Sequence, residues 1–143
     1  MKKRKKVTRA RKLYLKAERL WREVCFLRDG RECQVKKHFP QIRIQHTDVL
    51  QVDHCFSRAD KNLFFNPHNG TIVCSACNRA KAFKQKAIDK AIDKIVMDRE
   101  GEVYGQMMDV HQTHLPNWEF KKVWYLEKVV RELEEYKERF EKC

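Results

Sequence analysis

Val52-Asp53-His54, followed downstream by Asn69-Gly70-Thr71-Ile72-Val73-Cys74-Ser75-Ala76-Cys77-Asn78-Arg79-Ala80-Lys81, is the stretch on which the fold turns. VLQV at 49–52 and TIV at 71–73 favour strands, and Asn66-Pro67 and Asn69-Gly70 between them favour turns. A helix is expected to start at Cys74. Asp53 offers hard oxygen to Mg²⁺ or Mn²⁺, and His54 offers a base whose ordinary pKa, about 6.5, lies near working pH. Cys74 and Cys77 fall three apart at a helix start, so both sulfurs share a face and can hold a soft ion such as Zn²⁺. Asn78 is turned by a further ~100°, off the thiolate face, where its amide oxygen can join Asp53 on a second ion. Lys81, three beyond Asn78, returns to that face and can meet a phosphate. Neighbours in a strand point to opposite faces, so Asp53 and His54 serve one site only if the strand bends or ends there.

Outward from this stretch, Leu13, Leu15, Leu20, Val24 and Leu27, with Trp21 beside them, predict an amphipathic helix over roughly 10–27 that stops at Asp29-Gly30. IRIQ at 42–45 predicts a further strand in a small β-rich insert spanning 31–73. Phe83, Ala87, Ile88, Ala91, Ile92, Ile95 and Val96 extend the helix from Cys74 to about Arg99. A last helix is expected from about Asn117, where Trp118, Val123, Leu126, Val129, Val130, Leu133, Tyr136 and Phe140 make an apolar stripe for packing or oligomerisation. The fold class is therefore α+β and mostly helical. No internal repeat or Pro-rich linker interrupts the chain.

The 143 residues suffice for one ordinary domain. Lys and Arg number 32 against 20 Asp and Glu, a net charge of +12 that attracts polyanions, nucleic acid foremost. The run KKRKKVTRARK at 2–12 has eight positive charges and no negative one, and is expected to fray into solvent as a basic arm of residues 1–12, with Lys3, Arg4 and Lys5 contacting phosphate. Residues 13–143 form the expected single functional domain. No apolar run reaches the ~18 residues of a membrane span and no signal peptide precedes the arm, so a cytosolic chain with reduced thiols is expected, bacterial or in a phage-infected host. Six irregularly spaced cysteines do not make a secreted disulfide framework, and C-x-x-C in a cytosolic chain points to metal.

Over roughly residues 28–84 the pattern resembles the HNH, or ββα-metal, endonucleases. RDGRECQV resembles the approach to that family's zinc knuckle, VDH its first motif, the Asn five places before the first helix cysteine its middle motif, and CSACNRAK its last. The resemblance implies a ββα-metal core flanked by N- and C-terminal helices, the latter over about 85–143. It implies Asp53 and Asn78 as ligands of the catalytic ion, His54 as general base, and Asn69 as the residue that fixes the loop orienting His54. One departure stands out: Cys33-Gln34-Val35-Lys36 lacks the second knuckle cysteine, and Lys36 cannot complete a thiolate site at neutral pH. Cys33, Cys74 and Cys77 need a fourth ligand; His38 is chosen, with His46 and Cys55 as alternatives. Cys25 and Cys143 read as a packed thiol and a tail residue. The basic helix, the stretch with His111, His114 and Trp118, and the charged last helix are similar to the tail of phage recombination nucleases of the NinG type.

The expected activity is Mg²⁺- or Mn²⁺-dependent hydrolysis of DNA phosphodiesters with little sequence preference, nicking or cutting, by a monomer or homodimer, with Arg79, Lys81 and the arm on the backbone. Two rivals differ in class. A non-catalytic zinc-knuckle module would bind DNA without cleaving it. A basic structural protein of a nucleoprotein particle would explain the charge but not the ordered motifs. A structure-specific nuclease for branched DNA is a narrower form of the first reading.

Overall fold

The computed structural model describes residues 1, 3 and 5–142. Arg4, expected on the DNA backbone, and Cys143, expected as a tail residue, lie outside them, as does Lys2 of the arm. Among the described residues the chain forms six α-helices and one two-stranded antiparallel sheet, an α+β arrangement dominated by helix.

Helix α1 (Arg9–Asp29) begins where the Thr8 hydroxyl accepts a hydrogen bond from the Arg11 amide at 3.2 Å. It ends at Gly30, whose φ of 77° suits glycine. Ala17, Leu20, Trp21, Val24 and Cys25 recur at three- and four-residue spacing and are buried, whereas Leu15 and Leu27 of the expected stripe are exposed. The covering element is α6 (Val123–Glu141), whose Leu126, Val129, Val130 and Leu133 are buried in the same cluster. The apolar stripe of the last helix thus packs within its own chain. Lys16–Glu134 at 2.9 Å and Lys137–Glu23 at 3.1 Å bridge the two helices at the solvent edge, where such pairs set register more than stability.

Between these helices and the rest lie β1 (Leu50–His54) and β2 (Gly70–Cys74), paired so that Val52 faces Ile72, Asp53 faces Thr71 and His54 faces Gly70. The pleat sends Ile72 into the α1–α6 cluster and Val73 into a second cluster with Val35, Ile88, Ala91 and Ile92. Buried on both faces, β2 tolerates no side chain at its start: a Cβ at Gly70 would collide with the Cys25 sulfur and lie 3.0 Å from the Trp21 ring. Residues 42–45, expected as a strand, are irregular. Ile42 and Ile44 still touch the second cluster, so their alternation serves an extended strap that has no partner strand.

The helix expected to run unbroken from Cys74 to about Arg99 is two: α3 (Ser75–Ala82) and α4 (Lys86–Glu100). Lys84 takes a left-handed conformation, φ 58°, and the Gln85 amide donates to the Ala80 carbonyl at 3.0 Å while the Lys84 amide donates to Lys81 at 2.9 Å. This pair of bonds is a Schellman C-cap, which closes a helix even where the apolar period continues. After Gly101 a helix the sequence reading did not anticipate, α5 (Glu102–Thr113), buries Tyr104 and Met107 against Phe56, Leu63 and Val96. Residues before Val123, expected to open the last helix, form turns that leave Trp118 exposed. No helix among the described residues is long and apolar enough to cross a membrane.

Because a Cβ at left-handed φ costs roughly 1 kcal/mol, Lys84→Gly is expected to stabilise the fold by about that amount, raising the midpoint of thermal unfolding by about 3 °C. Scanning calorimetry checks it; an unchanged or lower midpoint would count against the cap.

Candidate functional site

Four side chains from three separate segments converge beside the second cluster. Cys33 stands at the start of α2 (Gln34–His38), His46 in the strap, and Cys74 and Cys77 at the β2–α3 junction; their donor atoms all lie within 4.8 Å of one another. Tetrahedral zinc, with Zn–S of about 2.3 Å and Zn–N of about 2.0 Å, spaces its ligands about 3.8 Å apart between sulfurs and about 3.5 Å between sulfur and nitrogen. Here Cys33 and Cys77 sulfurs are 3.8 Å apart, and His46 Nδ1 lies 3.4 Å from Cys74, 3.5 Å from Cys77 and 3.9 Å from Cys33. The donor set therefore fits a zinc ion and, at these separations, is not a disulfide. Burial pushes the Cys77 thiol up, and the neighbouring Cys33 and Cys74 sulfurs add to the shift. Burial also acts upward on Cys74, but the Thr47 and Cys77 amides and the His46 ring outweigh it and hold that thiol below its ordinary value. Three thiolates this close need a cation between them.

The fourth member of this donor set is His46, not His38. The exposed His38 ring lies at the far end of α2 from Cys33 and is 3.3 Å from Gln34 Oε1. Five residues beyond Cys33, His38 is turned roughly 140° round the helix from it and meets Gln34 instead, whereas the strap brings His46 to the sulfurs. The other alternative, Cys55, donates to Asp93 at 3.6 Å, and burial followed by the Asp93 charge pushes its thiol up to about 12.

On the sheet face covered by α3, Asp53 and Gln51 project together. Lys81 donates to Asp53 Oδ2 at 2.5 Å and to the His54 carbonyl at 2.6 Å, and Asn78, one turn earlier, donates to Gln51 Oε1 at 2.5 Å. Asn78 and Lys81 thus share a face, as their spacing predicted, but the Lys81 ammonium, expected on a phosphate, rests on the Asp53 carboxylate. Burial pushes the Asp53 carboxyl above its ordinary value, with Lys81 opposing. Across the ladder from Asp53, the fully buried Thr71 hydroxyl has no hydrogen-bond partner among the described residues. A partly buried carboxylate, a free amide oxygen and an unused hydroxyl on one face are donors that suit a hard divalent ion.

His54 ends β1 and turns the other way. Its ring, 7% exposed, stacks on Trp21 at 4.2 Å and 15° and lies 4.8 Å from Phe64. Its Nε2 is 2.8 Å from the Phe64 carbonyl; a carbonyl only accepts, so Nε2 carries the proton and Nδ1 keeps a lone pair. Burial lowers the His54 pKa to about 4; the Phe64 carbonyl opposes the shift and the Arg58, Lys81 and Lys61 charges reinforce it. Asn69, completely buried, accepts from the Phe56 amide at 2.6 Å and donates to the carbonyls of Phe56 at 3.2 Å and Leu63 at 3.1 Å. It clasps both ends of the loop between His54 and Phe64, the arrangement expected of it.

Four charged residues the sequence reading passed over fix this clasp from behind. Arg28 donates to the Pro67 and Gly70 carbonyls at 2.6 and 2.7 Å, and Arg99 donates to the carbonyls of His68 at 2.8 Å and Gly70 at 3.0 Å. Asp29 and Glu100, side chains 6% and 8% exposed, neutralise them. Charge sequence gives no sign of such partners, because surface and buried arginines read alike. Of the remaining expected contacts, Arg79, Lys3 and Lys5 are exposed. Comparison with known proteins finds no matching family, no matching curated protein and no matching solved structure.

Metal analysis of the purified chain is expected to give one zinc per molecule. His46→Ala should weaken zinc retention at least tenfold against a competing chelator, and His38→Ala should leave it unchanged. His54 gives a pH signature. Its folded value lies below the ordinary value, so stability is complete above about pH 6.5 and falls as pH drops towards 4, by at most about 3 kcal/mol. Urea unfolding at pH 7 and pH 5 should lose more for the native chain than for His54→Gln, a difference that cancels any shared effect of zinc release.

Proposed function

We propose that the chain is a divalent-metal-dependent DNA endonuclease of the HNH, ββα-metal, type. The observation that carries the reading is the succession β1, β2, α3, with Asp53, Asn78 and Lys81 on one face and His54 at the strand end, braced by the buried Asn69 clasp. The strong net positive charge supports a polyanionic substrate.

Asp53, through the carboxylate oxygen not taken by Lys81, and the Asn78 amide oxygen would hold Mg²⁺ or Mn²⁺. Such an ion, when bound, neutralises charge that builds on the phosphate and on the departing 3′ oxygen. His54 acts from the other side of the strand end. Its Nδ1 lone pair takes a proton from water as the water oxygen bonds to phosphorus and the P–O3′ bond breaks; the departing 3′ oxygen takes a proton from solvent, leaving 5′-phosphate and 3′-hydroxyl ends. The Phe64 carbonyl fixes the tautomer that makes this possible, and the Trp21 ring fixes the plane. Lys81, next to Asp53, supplies a positive charge to the same phosphate. The Cys33, His46, Cys74 and Cys77 zinc serves structure. Monomer and homodimer are both compatible with this chemistry.

The near-complete burial of the His54 ring favours a second reading, in which it is a core residue and the chain is a zinc-stabilised DNA-binding module without activity. Incubation with supercoiled plasmid separates the two. Open-circular or linear product is expected with Mg²⁺ or Mn²⁺ and not with EDTA, and His54→Ala should reduce the rate by at least about 100-fold while retaining the fold. Plasmid left intact but retarded on a gel equally by both proteins would establish the binding module instead.

Thr71→Val offers an independent check on the ion. Removing an unpartnered buried hydroxyl at constant shape should leave the metal-free chain as stable or more so, yet weaken Mn²⁺ binding by calorimetry. Unchanged Mn²⁺ affinity would remove Thr71 from the site.

A further inference from the structure

The loop that follows His54 carries cations of which only Arg58 has a carboxylate partner among the described residues. Lys61 Nζ lies 4.6 Å from the Phe64 ring centre and 5.1 Å from that of Phe120, and the Arg58 guanidinium lies 5.6 Å from the same Phe64 ring. Lys121 follows Phe120 directly. Burial, then the Arg58 and Lys121 charges, lower the Lys61 pKa, so the three cations repel one another. Among the described residues no carboxylate lies within ion-pair distance of Lys61, Lys121 or Arg11, and Arg58 reaches only Glu18, at 3.8 Å. Two grooves meet at Lys61: one runs past Arg11, Tyr14 and Lys121, the other past Ser57, His111, His114 and Trp118.

Trp118 closes the second groove with its indole 84% exposed. The loop bearing it is fastened at both ends: Asn62 Nδ2 donates to the Leu115 carbonyl at 2.7 Å, and Phe120 is buried among Tyr14, Phe64 and Phe65. Asp60, the carboxylate in this groove, is taken by His111 at 3.1 Å. An exposed aromatic face on an anchored loop, lining the same groove as the unpaired Lys61, is the chemistry that binds single-stranded nucleic acid. Every base has a π-face to stack, and every nucleotide brings a phosphate.

We propose that this groove holds an unpaired nucleotide of the DNA strand, its base stacked on Trp118 and its neighbouring phosphates on Lys61, Arg58 and Lys121. The assignment to DNA rests on the nuclease reading. The loop 55–63 follows His54 directly in the chain and lines the groove through Ser57 and Lys61. In a duplex the base is already stacked and paired, and Trp118 has no free face to meet.

The test is fluorescence anisotropy on the zinc-loaded chain, without added Mg²⁺ or Mn²⁺ and without chelator, with a labelled oligothymidylate of about twelve nucleotides, the matching duplex and the matching oligouridylate. Trp118→Ala should weaken oligothymidylate binding about tenfold and duplex binding less than twofold, with Trp118→Phe retaining most of the affinity. Lys61→Gln with Lys121→Gln should lower the slope of log affinity against log salt for the single strand by about 1.4. Trp118 is solvent-facing, so the unfolding midpoint should not move. Equal affinity of the Trp118→Ala chain for the single strand, an equal loss on the duplex, or tighter binding of the oligouridylate would overturn the proposal. So would sedimentation showing that Trp118 instead joins two copies of the chain. Metal-dependent plasmid cleavage without the Trp118 effect would remove this groove and leave the nuclease reading standing. The Trp118 effect without cleavage would do the reverse.

Discussion

Two guanidinium groups from two separate helices close on one backbone carbonyl, and the remainder is arranged around that closure. Arg28 at the end of α1 and Arg99 at the end of α4 both donate to Gly70, while Asp29 and Glu100 hold their charge in a region almost without solvent. Buried ion pairs carry a large desolvation cost, and their geometry must be nearly ideal to offset it. Here the guanidinium forks also donate to the Pro67, His68 and Gly70 carbonyls of the turn. Gly70 can sit there only because it has no side chain, and Asn69, its neighbour, is thereby aimed at the loop behind His54. Position of the candidate site is thus inherited from the packing of α1 and α4.

What the sequence made legible was local. Asp53-His54, Asn69 and the Cys74–Lys81 helix start are contacts of one strand end, one turn and one helical face, and their spacing follows from periods of two and 3.6. The strand pair and the shared face of Asn78 and Lys81 follow from the same arithmetic. What escaped was set by distance along the chain. Arg28 meets Gly70 42 residues away, and His46 meets Cys77 31 residues away; no periodicity relates them. His38 was the nearer histidine in sequence and His46 the nearer in space, because α2 is rigid and the strap is not bound to a ladder. The break at Lys84 was hidden for a different reason: a lysine, not a glycine, takes the left-handed position, and the apolar period continues across it.

The same contrast explains how His54 and Asp53 come to differ. Adjacent in sequence, they are separated by the pleat into an aromatic pocket and a charged face. One is kept uncharged by its surroundings and the other is kept beside a cation. Two neighbouring residues with opposed electrostatic environments can hold different protonation states at one pH.

The Cys33–Cys77 contact spans 44 residues, and that interval contains β1, the Asn69 turn and β2. An ion across it is therefore a cross-link around the whole candidate cleft, comparable in reach to a disulfide closing a loop of that length, which would restrict the unfolded chain by about 4 kcal/mol. Unlike a disulfide, it survives reducing conditions and can be undone by a chelator. A fastening of this kind would answer to metal supply rather than to redox state.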